Sequence, residues 1–398
     1  MPISEKIQTF IDRSSWIRRM FEEGARLREI HGDDQVFDFT LGNPTVEPPP
    51  RFNEQLRRMA AHPEPGMHRY MNNAGYDRTR AAVAERLSRT SGLKVDAGQV
   101  IMTCGAGGAL NVVLKTLLNP GDEVIILTPY FVEYKFYIDN HGGIAREVWT
   151  RREDFQLDLD AIEAAISEKT CALIINSPNN PTGVIYPEAD LRRLDALLKR
   201  RQQETGRAVV VISDEPYARI AYQGQQVPSL FACVDNAVIV TSHSKDLALP
   251  GERIGYLAAS PKLQDSSLFM AGAVFCNRVL GFVNAPAMAQ RLVADLQDES
   301  VAITPYQEKR DLLFDHLTSL GFKMVKPGGA FYLFPRSPIE DDVAFVTRAQ
   351  QHNILLVPGS GFGAPGYFRI AYCVEREVIE RSLPAWNRLA ADLGLQPG

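Results

Sequence analysis

The stretch SHSKDLALPGER at residues 242–253 carries more functional information than any other part of the chain. It follows the run AVIVT at residues 237–241, whose apolar and β-branched residues predict a buried strand. In open α/β sheets, polar residues at the carboxyl end of a buried strand are where ligand sites are built. The stretch therefore predicts an α/β fold with a site at this strand end.

The chemistry of the stretch depends on four side chains. The amine of Lys245 can form a Schiff base with a carbonyl cofactor. The hydroxyls of Ser242 and Ser244 and the guanidinium of Arg253 can hold a phosphate. The alternative is a solvated loop with ordinary surface charges, and a short motif alone does not decide between the two.

Three further polar segments follow buried-strand patterns in the same way. They are NPTG at 180–183, DEPY at 214–217 and GAGG at 105–108, preceded by apolar runs at 171–175, 209–213 and 100–103. The ends of parallel strands converge on one edge of a sheet. The four polar segments are therefore expected to form one site.

With these segments in this order, the chain resembles the pyridoxal-phosphate-dependent aminotransferases of fold type I, the class I/II group that includes aspartate aminotransferase. The resemblance covers nearly the whole chain. It implies a three-layer αβα large domain with a mostly parallel seven-stranded sheet, plus a smaller α+β domain. It places the antiparallel strand at residues 254–258. The implied domains are an N-terminal arm with part of the small domain at 1–50, the large cofactor-binding domain at 51–290 and the C-terminal small domain at 291–398.

Helical periodicity supports the alternation of strands and helices. Helices are predicted near residues 76–90, 107–118, 188–203 and 305–320. Strands that alternate with helices are typical of βαβ units and a parallel-rich sheet.

Composition narrows the class of protein. The 398 residues are 45% hydrophobic and 23% charged, as in ordinary globular proteins. The net charge of −5 disfavours a nucleic-acid-binding surface. The five cysteines form no CxxC pair, which disfavours a zinc or disulfide framework and fits thiols in a reducing compartment. Residues 1–30 mix acidic and basic side chains, and no apolar run approaches the ~20 residues that span a bilayer. A cytoplasmic enzyme without membrane contact is expected.

The resemblance assigns the reactive groups. Lys245 would hold pyridoxal 5'-phosphate as a Schiff base and then move a proton as a general acid and base. Asp214 would pair with the pyridine nitrogen and keep the ring an electron sink. The plain alternatives are a surface lysine for Lys245 and a helix N-cap or an exposed loop acid for Asp214.

The ring contacts follow in the same way. Tyr217 and Asn180 match the partners of the cofactor's 3' oxygen, although a packed aromatic and a turn residue are the plain alternatives. Phe131 matches the aromatic that stacks on the ring, and the adjacent Tyr130 is an open alternative for that role.

The phosphate contacts come from several segments. Gly105, Ala106 and Gly107 would open a helix whose free N–H groups attract an anion, and Ser242, Ser244 and Arg253 would add side-chain donors. Tyr70 resembles the tyrosine that reaches the phosphate of the neighbouring subunit, with a packed or rim aromatic as the alternative. The resemblance therefore implies a homodimer with shared active sites.

Substrate contacts are fewer. Arg369, in FRIAY at 368–372, matches the arginine that grips the substrate α-carboxylate, and Gly42 resembles a backbone contact beside it. Asn180 would also face the substrate. A structural ion pair and a turn glycine are the alternatives for Arg369 and Gly42. Arg278 and Arg69 are candidates for a distal carboxylate contact, so both a dicarboxylic and a neutral or aromatic amino acid remain open.

The function that follows is ping-pong transfer of an amino group between an amino acid and a 2-oxo acid. A carbon–sulfur β-lyase and an aminocyclopropane-carboxylate-synthase-like enzyme share the same residues and stay open as alternatives. A cofactor-binding regulator without catalysis is disfavoured, because the residues before Phe39 are too few for a winged helix-turn-helix.

Overall fold

A computed structural model describes residues 3–396, and side chains in that range except those of 12–22 and 31. The helices are α1 (Glu5–His31), α2 (Pro50–Ala61), α3 (Asp77–Ser91), α4 (Gly105–Leu117), α5 (Tyr134–Asn140), α6 (Leu159–Ala165), α7 (Glu188–Thr205), α8 (Leu230–Cys233), α9 (His243–Asp246), α10 (Ser266–Val279), α11 (Ala287–Ala294), α12 (Thr304–Ser319), α13 (Asp342–Gln350) and α14 (Arg376–Asp392). The strands are β1 (Phe37–Asp38), β2 (Val100–Thr103), β3 (Glu123–Thr128), β4 (Ile144–Trp149), β5 (Thr170–Asn176), β6 (Val210–Asp214), β7 (Ala237–Ser242), β8 (Gly255–Ala259), β9 (Tyr332–Leu333), β10 (Ile354–Leu355), β11 (Val357–Pro358) and β12 (Phe368–Ala371).

The chain divides into two compact units. The larger consists of Pro44–Thr304 and Pro327–Ala330, and the smaller of Met1–Asn43, Pro305–Lys326 and Phe331–Gly398. The domains predicted at 1–50, 51–290 and 291–398 stay a prediction, because compactness does not measure which segments fold independently. Their first and last two residues lie outside the described range.

The larger unit contains a seven-stranded sheet in the order β2-β8-β7-β6-β5-β3-β4. Strand β8 is antiparallel to both β2 and β7, and the other pairs are parallel. Because β2 and β7 are both antiparallel to β8, β2 runs in the same direction as the other five strands of the sheet, and β8 runs opposite to them. The predicted mostly parallel sheet, with its antiparallel strand at 254–258, is confirmed.

The central strands are buried along their whole length. Every residue of β5, β6 and β7 is buried, and each strand is a near-continuous run of apolar and β-branched residues. Such runs are typical of parallel strands covered on both faces. On one face, Ile212 and Val240 share a core with Leu110 and Val113 of α4. That packing fixes the position of the strands and therefore of the polar residues at their carboxyl ends.

The smaller unit is built differently. Strands β11, β12 and β9 form an antiparallel sheet in that order, and β1 pairs with β10 in parallel. Trp386 of α14 is fully buried and meets Phe322 edge-on at 5.7 Å. The predicted α+β character of this part of the chain is confirmed.

The predicted helices are all present within about three residues of their expected ends, the usual precision of such boundaries. Two details differ from the sequence interpretation. Asp214 is the last residue of β6 and not the first residue after it, and Lys245 lies on the helical turn α9 and not in a loop. No helix in the range 3–396 is both long and apolar enough to cross a bilayer.

Candidate active site

The polar strand ends meet at one edge of the large sheet, as predicted. Asn176 at the end of β5 stands opposite Asp214 at the end of β6. Gly255, which begins β8, stands opposite both Thr103 of β2 and Ser242 of β7. The register therefore places the segments that follow β2, β5, β6 and β7 side by side.

Asp214 has the most unusual environment at this edge. Its carboxylate is buried, and Oδ2 accepts a hydrogen bond from the hydroxyl of Tyr134 at 2.6 Å. Among the described residues, Oδ1 has no hydrogen-bond partner. Burial raises the pKa of Asp214 to about 7, although the bond from Tyr134 acts in the opposite direction. A buried acid with one unsatisfied oxygen is costly unless a donor binds it.

Asn180 and Tyr217 are brought to the same place. The side-chain amide of Asn176 donates to the backbone oxygen of Asp214 at 2.7 Å, and the backbone N–H of Asn180 donates to Oδ1 of Asn176 at 2.6 Å. Tyr217 is buried. The pKa of Tyr134 is raised by burial, by the charge and hydrogen bond of Asp214 and, to a smaller extent, by Tyr217. Both predicted ring contacts therefore belong to the cluster around Asp214.

The two aromatic candidates separate clearly. Tyr130 donates its hydroxyl to Oε2 of Glu147 at 2.7 Å. Phe131 meets Tyr134 edge-on, with ring centroids 5.6 Å apart, and Tyr134 holds Asp214. The geometry favours Phe131 over Tyr130 as the aromatic beside the site.

The start of α4 lies under Arg253. Gly105 has φ +70°, a conformation that favours glycine, and a Cβ there would lie 2.7 Å from Nη2 of Arg253, so the guanidinium lies directly against the start of α4. Arg253 has φ +49° and donates from Nη1 to the Pro250 oxygen at 3.0 Å. The first N–H groups of a helix, which here include those of Ala106 and Gly107, have no intrahelical acceptor. This corner is therefore suited to an anion.

The predicted serines and lysine adjoin that corner. Ser242 donates to the hydroxyl of Ser244 at 3.1 Å, and both are buried. Lys245 is half-buried on α9. A Cβ at Gly107 would lie 3.1 Å from the hydroxyl of Tyr137. Burial, Glu133 and Asp214 raise the pKa of Tyr137 to about 12, and the charge of Arg253 opposes them.

The residues present fit pyridoxal 5'-phosphate. An anion-binding helix start with Arg253 suits the phosphate, and the unsatisfied Oδ1 of Asp214 suits the protonated ring nitrogen. Among the side chains that the structure describes, no group of three or more His, Cys, Asp and Glu residues could hold a metal ion.

Arg369 and Gly42 come together in the smaller unit through Tyr332. Arg369 is only 8% exposed and donates from Nη2 to the Thr40 oxygen at 2.5 Å. Its guanidinium lies over the rings of Tyr332 and Phe362, at 4.6 and 4.8 Å. A Cβ at Gly42 would lie 2.0 Å from the Tyr332 hydroxyl, so this position requires glycine. These contacts restrain the guanidinium, and the role of Arg369 as a carboxylate contact stays a prediction.

Tyr70, Arg69 and Arg278 are exposed residues of the larger unit. Tyr70 is 89% exposed, between α2 and α3. Arg69 is exposed beside Gly66, and the exposed Arg278 lies over the ring of Phe275 at 5.4 Å. Their predicted roles in cofactor or substrate binding stay predictions.

Sequence reasoning missed three members of the cluster. Tyr134 and Tyr137 follow Phe131 at helical spacing, and that spacing was the available signal. Asn176 is the polar last residue of β5, in the position that Asp214 occupies in β6.

Comparison with known proteins agrees with this geometry. The model of the family "Aminotransferase class I and II" matches residues 34–385. The chain is 34% identical to the aspartate/prephenate aminotransferase of Thermus thermophilus over 359 residues, which cover 88% of the chain and 90% of the relative. It is 32% identical to the aspartate aminotransferase of Thermotoga maritima, over 94% and 96% of the two chains.

Solved structures give the same result. A crystal structure of an amino transferase from Eubacterium rectale matches with a TM-score of 0.95 and 38% identity, over 98% of this chain and 99% of that one. The aspartate aminotransferase of Thermus thermophilus with maleate matches with a TM-score of 0.82 and 30% identity, over 93% and 96%. None of the relatives named here is a lyase or a synthase. Because the family model spans most of the chain and these relatives align over nearly their full lengths, the chain belongs to the class I and II aminotransferases, the pyridoxal-phosphate-dependent enzymes that move an amino group between an amino acid and a 2-oxo acid.

Proposed function

We propose that the residues at the carboxyl edge of the large sheet are the catalytic machinery of this aminotransferase. The observation that carries the proposal is the buried carboxylate of Asp214, fixed at Oδ2 by Tyr134 and without a partner at Oδ1 among the described residues. A pyridinium N–H supplies the donor that this oxygen lacks. Pyridoxal 5'-phosphate, when bound, supplies an electron sink for the electrons of the substrate Cα–H bond.

Asp214 and Tyr134 act as a pair in this account. The Asp214 carboxylate keeps a proton on the ring nitrogen. Tyr134 opposes the effect of burial on the pKa of Asp214 and so keeps the carboxylate charged. The single hydrogen bond at Oδ2 also turns Oδ1 toward the ring.

Lys245 has two roles. Its amine would hold the cofactor at rest and, when free, would carry a proton to and from the substrate Cα. Tyr217 and Asn180 hold the 3' oxygen, and Phe131 supplies a ring face. The N–H groups at Gly105, Ala106 and Gly107 hold the phosphate together with Ser242, Ser244 and Arg253.

Arg369 is proposed to bind the α-carboxylate of every substrate. A guanidinium fixed by the Thr40 carbonyl and two aromatic faces has little rotational freedom left to lose. A planar guanidinium binds a carboxylate through two parallel hydrogen bonds, which orients the Cα–H bond. Gly42 lies beside Tyr332 and is proposed as a backbone contact for the same carboxylate, with Asn180 as a further contact.

A homodimer with shared active sites is proposed from exposed apolar groups of the larger unit. Leu268, Phe275 and Val279 lie on one face of α10, and they are 74%, 54% and 50% exposed. An exposed apolar face of this kind marks a protein interface. Tyr70 is proposed to reach the phosphate held by the partner subunit, which would cover its 89% exposed side chain.

Two finer properties complete the proposal. The enzyme is proposed to work in the cytoplasm, which the five free thiols support. One of its two substrates is proposed to be a dicarboxylic amino acid, aspartate or glutamate, because relatives aligned over most of the chain bear the name aspartate aminotransferase. Arg278 and Arg69 are the candidate contacts for the second carboxylate.

A spectroscopic screen tests the proposal. The purified protein, loaded with pyridoxal phosphate, is mixed with each proteinogenic amino acid, and the visible absorbance of the bound cofactor is followed. Aspartate or glutamate should remove the band, and the corresponding 2-oxo acid should restore it. A band that no amino acid changes contradicts transamination, and a band that only neutral amino acids change contradicts the dicarboxylate assignment.

A further inference from the structure

A cavity of about 560 Å³ lies within the larger unit, behind the strand ends that carry Asp214 and Lys245. Leu87 of α3, Ile239 and Thr241 of β7 and Tyr256 of β8 contribute to its lining. Successive side chains of a strand point to opposite faces of the sheet. Val238 and Val240 pack into the core beneath α4, so Ile239 and Thr241 face the other way, and the cavity is distinct from the cofactor site.

Three guanidinium groups line this cavity, those of Arg86, Arg89 and Arg219, and Arg89 is ion-paired with Glu85 and Asp298. Arg219 donates to the backbone oxygens of Gln297 and Asp298, at 3.0 and 2.9 Å, and its nearest carboxylate is Asp246 at 4.0 Å. Burial and the charge of Arg86 both lower the pKa of Arg219. Within the described chain, Arg86 forms no ion pair and no side-chain hydrogen bond. The charges of Arg86 and Arg219 are therefore compensated incompletely, and an anion between them would relieve their repulsion.

An acidic wall lies in the same cavity. Three carboxyl groups line it: Asp298 is paired with Arg89, Asp246 is paired with Nδ1 of His243 at 3.3 Å, and Glu215 forms no ion pair within the described chain. Burial raises the pKa of Glu215 to about 7, against a hydrogen bond from Ser213 and the charge of Arg86. A cation near Glu215 would stabilise its charged form. Arg86 acts on Glu215 without forming an ion pair with it, so the cavity can accept both a ligand anion at the arginines and a ligand cation at Glu215.

We propose that this cavity is a second ligand site and that its ligand is a free α-amino acid. The carboxylate binds between Arg86 and Arg219, the ammonium group binds Glu215, and the side chain packs toward Leu87, Val227 and Ile303. The volume falls within the roughly 300–1,000 Å³ of typical small-molecule sites. A 2-oxo acid carries the carboxylate without the ammonium group, so the site should discriminate against it.

The position of the cavity would allow a bound ligand to influence the catalytic residues. Glu215 follows Asp214 in the chain, and Asp246 follows Lys245. The ligand would therefore contact the residues next to both reactive side chains, from the other face of the sheet.

Binding to the blocked holoenzyme tests the proposal. Aminooxyacetate converts the cofactor carbonyl to an oxime, so added amino acids cannot react at the catalytic site. Calorimetric titration then uses each proteinogenic L-amino acid, with pyruvate and 2-oxoglutarate as the comparison. At least one amino acid should bind saturably. R86A should weaken that binding by at least about tenfold, the effect of losing one charge-assisted contact, and E215Q should weaken it as well.

R78A is the matched control, because Arg78 lies on the same helix, pairs with Asp295 and does not line the cavity. R86Q provides a second variant if R86A unfolds, and an unchanged melting temperature and cofactor spectrum verify folding. The site is overturned if no amino acid binds, or if the Arg86 variants bind as R78A does. Its assignment to an amino acid is overturned if pyruvate or 2-oxoglutarate binds as tightly.

Discussion

Tyr134 donates its hydroxyl hydrogen to Oδ2 of Asp214 across 2.6 Å, and both side chains are buried. The tyrosine comes from the helix after β3 and the aspartate from the end of β6, so the sheet order brings them together. The bond sets the orientation of the carboxylate and opposes the rise in its pKa that burial causes. Tyr134 was not among the predicted site residues, yet it influences the charge of Asp214, which was.

Removal of that hydroxyl should lower activity without removing the cofactor. Y134F should raise the pKa of Asp214 further, lower kcat/KM by about tenfold, the size of one lost charge-assisted bond, and move the acidic limb of the pH profile to higher pH. Y130F is the matched control, because the Tyr130 hydroxyl bonds Glu147. Steady-state kinetics across pH compare the two variants. Equal profiles for Y134F and Y130F would remove Tyr134 from the account.

The cofactor-free protein should reveal the buried acid in its stability. The pKa of folded Asp214 is about 7, above the usual 3.8, so the folded state binds the proton more tightly than the unfolded state. The associated stability is present below pH 3.8 and is lost as the pH rises through 7. From about pH 5 to about pH 8, a range that spans this titration, the melting temperature of the wild type should fall relative to that of D214N. Burial raises the pKa of Glu215 as well, but Glu215 is present in both proteins, so its contribution cancels in the comparison with D214N. If the melting temperatures of the two proteins change equally with pH, Asp214 does not titrate in this range.

The sequence predicts the sheet edge well and the second layer of contacts poorly. The apolar runs at 100–103, 171–175, 209–213 and 237–241 end at, or one residue before, the ends of β2, β5, β6 and β7, because continuous β-branched runs suit buried parallel strands. The bond between Tyr134 and Asp214 joins residues 80 positions apart, and no local pattern encodes such a pairing. The choice between Tyr130 and Phe131 likewise depended on where Glu147 lies in the folded chain.

Arg369 should matter to every substrate. R369A should lower kcat/KM by about tenfold to hundredfold, because a bidentate charge-assisted pair is lost, and R369K should recover only part, because an ammonium group cannot form the same fork. R278A and R69A should affect acidic substrates only. The measurement compares these variants on aspartate and on one neutral amino acid. If R369A spares the neutral substrate while R278A or R69A damages both, the carboxylate contact has been assigned to the wrong arginine.

The shared-site proposal predicts complementation between inactive subunits. K245A removes the amine from one subunit, and Y70A removes the phosphate contact that the other subunit needs. A randomly mixed dimer pool should regain about a quarter of wild-type activity, since half the dimers are mixed and each has one intact site. Subunit exchange is verified by mass labelling. Activity that stays at the mean of the two separate samples would place Tyr70 outside the neighbouring site.

The attachment of the cofactor to Lys245 tests the central claim most directly. The protein loaded with pyridoxal phosphate is treated with borohydride, which reduces the bond between the lysine and the cofactor and makes it permanent, and the labelled peptides are then mapped by mass spectrometry. The account predicts the label on Lys245, on the helical turn that follows β7, and its absence in K245A. A label on any other lysine, with Lys245 unmodified, would contradict it.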